Sequence, residues 1–84
     1  YFKFETKKLI DKEKFDDFIK KIPKNVYRAK GLVKTNKGSL LFNYVAGRHE
    51  LEESKADKTE LVFIGENISK LKNKVLKELE KTLL

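Results

Sequence analysis

The residues able to do chemistry in this chain gather in three places. Arg28, Lys30 and Lys34 lie in Val26-Tyr27-Arg28-Ala29-Lys30-Gly31-Leu32-Val33-Lys34-Thr35, a stretch rich in strand-forming residues. Such cations could contact a neighbouring domain, a client protein or an anionic ligand, or simply line a solvated strand face. His49, the sole imidazole, is followed by Glu50, Glu52 and Glu53. Histidine with carboxylates can bind zinc, but structural zinc sites take four protein ligands and catalytic ones three. Along a strand only Glu53 shares a side with His49, so His49 offers at best a weak, adventitious metal site. Asp11, Glu13, Asp16 and Asp17 crowd one short segment. Paired carboxylates can do acid–base work. On a helix, however, this set reads more simply as capping, dipole pairing and i,i+4 contacts with Lys20 and Lys21.

No catalytic constellation emerges. Serines and threonines occur without a nearby histidine or an elbow motif, and there is no cysteine, which removes disulfides and thiolate metal sites. The phosphate-cradling pattern G-x-x-x-x-G-K-[ST] is missing, and Gly31, Gly38, Gly47 and Gly65 are too dispersed to replace it. The expectation is therefore no catalytic residue, no cofactor site and no metal site in these residues, with Arg28, Lys30 and Lys34 as a candidate interaction surface.

The elements that must position those residues follow from periodicity. Phe2, Phe4 and Thr6 alternate with Lys3, Glu5 and Lys7, which predicts a half-buried strand. Asp11 is a good N-cap for a helix whose Phe15, Phe18, Ile19 and Ile22 form one apolar stripe, stopped by Pro23. A strand is predicted over 26–35. Strict alternation puts Tyr27, Ala29, Gly31 and Val33 on its inner side, with Arg28, Lys30, Leu32 and Lys34 outside. Gly31 inside a strand implies a bulge or a close backbone approach, for instance by a helix. Asn36-Lys37-Gly38 suits a tight hairpin into a second strand, and 48–53 extends the meander as a polar edge. Leu61-Val62-Phe63-Ile64 is apolar on both sides and reads as a central strand. The last segment is an amphipathic helix, with Ile68, Leu71, Val75, Leu76, Leu79 and Leu83 on one face. Lys70, Lys74, Lys77 and Lys81 line the other.

The predicted order is β-α-β-β-(β)-β-α. A right-handed crossover makes the first two strands parallel, and the late central strand can insert between them. The fold class expected is α+β: a two-layer sandwich with a four- to five-stranded, mostly antiparallel sheet and two helices on one face, related to ferredoxin-like folds. At 84 residues the chain is read as one domain, 1–84. It begins at Tyr1 and contains no Met, so it is expected to be a piece of a longer protein. No apolar run approaches the ~18 residues of a membrane span, and no signal peptide is evident; a cytoplasmic setting without membrane contact is expected.

Several runs, taken together, resemble a known family. Asp11-Lys12-Glu13-Lys14-Phe15 resembles a D-P-E-R-F helix start, and Ile22-Pro23 leads into Val26-Tyr27-Arg28-Ala29-Lys30-Gly31. Val45-Ala46-Gly47-Arg48 and Leu61-Val62-Phe63-Ile64-Gly65 follow in compatible places. The sequence thereby resembles the C-terminal domain of CobW-type GTPases, the cobalamin-synthesis and metallochaperone group, along nearly its whole length. It departs where the family often has prolines, here Leu9 and Lys12, and where an aromatic often stands, here Lys34. The resemblance implies a non-catalytic accessory domain whose partners are its own N-terminal GTPase domain and a client metalloprotein. GTP and a divalent metal, zinc or cobalt, would belong to the parent protein.

A different reading rests on charge. Twenty Lys plus Arg against thirteen Asp plus Glu give +7, which suits a free-standing nucleic-acid-binding module. Lys30-Gly31 begins like an RNA-recognition motif, but Leu32 and Lys34 stand where its aromatics belong. Phe2, Phe4, Phe42 and Tyr44 read as core rather than as a stacking platform.

Overall fold

A computed structural model describes residues 1–84, apart from the side chain of Ile68, which lies outside the described residues. The elements are β1 (Phe2–Thr6), α1 (Lys12–Lys20), β2 (Val26–Thr35), β3 (Gly38–Val45), β4 (Arg48–Glu53), β5 (Thr59–Gly65) and α2 (Ile68–Glu80). The five strands form one sheet in the order β1-β5-β2-β3-β4, with every neighbouring pair antiparallel. Because β1 and β2 both run antiparallel to β5, they are parallel to each other, as a helical crossover requires. The late strand inserts between them, and the meander extends the other side. This is the expected two-layer α+β sandwich.

Alternation builds the core. On the helix side, cross-strand register sets Phe2, Phe63, Ala29, Tyr44 and His49 in one row, and Phe4, Leu61, Gly31, Phe42 and Leu51 in the next. Ala29 and Gly31, the small residues of the Arg-Ala-Lys-Gly run, lie between strands carrying large rings. Their size leaves room for α1 to lower Phe15 edge-on to Phe42 at 5.3 Å and Phe18 edge-on to Phe63 at 6.3 Å. Val75 and Leu79 of α2 close the same core, with Leu71, Leu76 and Leu83 packed against it.

Local signals acted as their chemistry dictates, with exceptions. Asp11 caps α1, its carboxylate accepting from the amides of Glu13 at 3.0 Å and Lys14 at 3.4 Å. Asp16, expected to reach Lys20, instead accepts from Lys12 Nζ at 2.7 and 2.9 Å. Helical side chains lean toward the N-terminus, which favours the earlier lysine. The last helix stops at Glu80, where the chain turns so that Leu83 bridges Ile10. Tyr27 does not lie inward. Register shifts between Val26 and Arg28 against β5, a bulge that adds one residue and turns Tyr27 outward beside Arg28. Gly31 does mark a close backbone approach, but the neighbour is strand β5, not a helix.

Candidate interaction surface on the open sheet face

Both helices cover one side of the sheet and leave the other bare. Arg28 and Lys30 point to this bare side and are exposed, while Lys34, on the same side, is half-buried. The Lys34 amide donates to Thr59 Oγ1 at 2.9 Å and its ammonium reaches the Asp57 carbonyl at 3.5 Å. Register defines what surrounds them. Arg28 is flanked by Ile64 and Val45, and Val45 in turn pairs with Arg48. Lys30 is flanked by Val62 and Asn43, with Lys3 and Glu50 beyond. Leu32 is flanked by Glu60 and Leu41, with Glu5 and Glu52 beyond. A shallow depression of about 480 Å³, mostly apolar, runs over β2 and β5 among Arg28, Lys30, Leu32, Glu60, Val62 and Ile64.

The electrostatics differ from one end of this face to the other. Along β1 and β5, Lys3 contacts Glu5 at 3.1 Å and Glu60 at 2.7 Å, while Lys58 contacts Glu5 at 2.8 Å. Hydrogen bonds from Lys58 and Lys3 hold the Glu5 carboxyl below its ordinary value of 4.5. Those to Glu60 and Glu5 raise Lys3 above 10.5, and the one to Glu5 raises Lys58 likewise. Glu5's contribution is present above about pH 4.5 and lost in acid; the lysine contributions are lost only above their raised values, so the network is constant through neutral pH. It is open to solvent and therefore weak. Beside Arg28, the neighbouring Glu66 carboxylate holds the Tyr27 phenol above its ordinary 10.0.

His49 lies on the helix side of edge strand β4, opposite Tyr44, and is exposed; Glu50 points to the other face. Among the described residues no group of three or more His, Asp and Glu side chains could hold a metal ion. Asp11, Glu13, Asp16 and Asp17 stay on α1 and its cap, far in the layer from the bare sheet face. Arg48, Val45, Ile64 and Tyr27 were not marked by sequence reasoning as members of the surface. Their only advance signal was the scarcity of arginine, since Arg28 and Arg48 are the only two in the chain. The hairpin at Ala46-Gly47 brings Arg48 level with Val45. Its backbone takes positive φ at both residues, 49° and 87°, and Ala46 donates its amide to the Tyr27 carbonyl at 2.9 Å. Hairpin tip and bulge are thus tied together.

The fold and its bare face define a class of small α+β sandwich in which one sheet side is free to meet a neighbour. The chain belongs to the family of the cobalamin synthesis protein cobW C-terminal domain, whose model matches residues 1–83. Among solved structures it is similar to the Zn(II)-bound YjiA GTPase from E. coli, with a TM-score of 0.76 and 14% identity. A zinc-bound triple mutant of YjiA matches at a TM-score of 0.73 and 14% identity. In both cases the match covers 99% of this chain and 29% of the other. No curated protein sequence matches significantly. Among the described residues no helix is long and apolar enough to cross a membrane.

Proposed function

We propose that this chain is the non-catalytic C-terminal accessory domain of a CobW-type, GTP-dependent metal chaperone acting in cobalamin biosynthesis or in zinc or cobalt delivery. Its work is to present the open sheet face to the GTPase domain or to a client metalloprotein in the cytoplasm. The observation that carries this reading is the bare, partly apolar face holding Arg28 and Lys30, in a chain of this family. The Cα outline of 32 × 21 Å makes the open face comparable to one standard interface patch, roughly 800 Å² per partner. A linked neighbour gains further from its high effective concentration. GTP and metal belong to the remainder of such a protein, since His49 with Glu53 is too small a donor set.

Charge favours a nucleic-acid module as the alternative, but Phe2, Phe4, Phe42 and Tyr44 lie beneath the helices, where they cannot stack on bases. The test is Arg28→Glu with Lys30→Glu in the longer protein, measuring GTPase rate and client binding. At least one is expected to fall about fivefold or more, as for loss of an interfacial charge pair. Equal values in mutant and wild type would contradict the reading.

A further inference from the structure

We propose that the cross-strand row Ile64–Arg28–Val45–Arg48, with Tyr27 at its side, recognises an acidic protein segment that carries carboxylates around an apolar anchor. This rests on the docking role proposed above and specifies the partner's chemistry.

Composition singles out this row. Among the described residues six large hydrophobics are exposed, and three of them are Tyr27 at 45%, Val45 at 50% and Ile64 at 48%. A fourth is Tyr1, which the pairing of Phe2 with Phe63 sets level with Ile64. The same row holds both arginines of a chain whose other basic side chains are lysines or the single histidine. Arginine and tyrosine around aliphatic residues is the composition of an interface centre, not of an ordinary solvated face.

Charge then selects the occupant. At the far end of the face, Lys3 and Lys58 are neutralised by Glu5 and Glu60. Among the described residues neither Arg28 nor Arg48 forms an ion pair. The two lie two strands apart, so their guanidinium groups start from points about 10 Å from each other. Each presents a planar fork that fits a carboxylate with two hydrogen bonds. Val45, between them, and Ile64 supply the apolar contact. A polyanionic backbone is the poorer fit. The next row carries Lys3, Lys30 and Glu50, and the row after it Glu5, Glu60 and Glu52. A polyanion running on along the strands therefore meets carboxylates in both rows, while Glu66 stands beside Tyr27. A short acidic segment laid across the strands stays on the arginine row, with its apolar anchor rather than a carboxylate facing Tyr27 and Glu66.

The test is a titration of the isotope-labelled 84-residue chain, at low salt, with a short peptide of alternating Glu and Leu. Amide and arginine Nε–H shifts report where it binds. Shifts are expected at Tyr27, Arg28, Val45, Arg48 and Ile64, and none with the corresponding Lys and Leu peptide. Arg28→Glu with Arg48→Glu should weaken binding at least about tenfold, whereas Lys70→Glu with Lys74→Glu, an equal charge change on α2, should leave it within about twofold. Absence of shifts, or equal binding by both variants, overturns the proposal. Shifts confined to Lys30, Leu41 and Val62 overturn the arginine row but keep the open face as the docking side. Shifts confined to α2 remove both. Tighter binding of a single-stranded oligonucleotide to the same row would assign it to phosphate instead.

Discussion

Gly31→Ala is expected to lower the unfolding free energy by about 3–5 kcal/mol, one of the two largest losses any single substitution here should produce. Gly31 sits mid-strand in β2, paired with Leu61 of β5 on one side and Phe42 of β3 on the other. In its backbone conformation a Cβ would point along the sheet into the Glu60 carbonyl, and would come within 2.9 Å of Leu61 Cα. Neither obstacle is the tip of a flexible side chain. Both belong to the backbone of a strand hydrogen-bonded on both edges, so relief requires moving β5 or breaking the ladder. A domain of 84 residues has roughly 4–13 kcal/mol to lose, so a large unfolded fraction should follow. Urea denaturation checks it, with Gly38→Ala as the control. Gly38 has φ of 119° but nothing within 4 Å of its would-be Cβ, and its replacement should lose only about 1 kcal/mol. Similar midpoints for the two variants would show that the close approach is easily relaxed.

Phe63→Ala is the second, at about 3–5 kcal/mol by the same measurement. Phe63 is fully buried on β5, stacks on Phe2 at 5.0 Å and meets Phe18 edge-on at 6.3 Å. Its ring therefore joins β1, β5 and α1, and its loss leaves a cavity that three elements would have to collapse to fill. Phe63→Leu, which keeps most of the volume, should lose less than half as much. If alanine and leucine were equally mild, the aromatic core would not be what holds the layers together.

Much of this was legible in the residues, for physical reasons. A period of two in β1 and β2 set Phe2, Phe4, Ala29 and Val33 toward the helices and Arg28 and Lys30 away from them. The Phe15, Phe18, Ile19 stripe with its Asp11 cap located α1. Alternation failed at Tyr27 because a bulge is an event between two strands, invisible in either one alone. The same limit hid the partnership of Arg28 with Arg48. They are twenty positions apart, and only the register of β2, β3 and β4 sets them in one row. Gly31 could be marked as a point of close approach, but not which element approaches, because that depends on where β5 inserts.

The most direct measurement is hydroxyl-radical footprinting of Tyr27 and Ile64, compared between this 84-residue chain alone and a longer protein in which the proposed GTPase domain is linked to it. Both side chains are exposed here, so docking of the open sheet face should slow their modification in the longer protein while the lysine side of α2 stays unchanged. Unchanged rates at Tyr27 and Ile64, with protection moved to the outer faces of the helices, would contradict it.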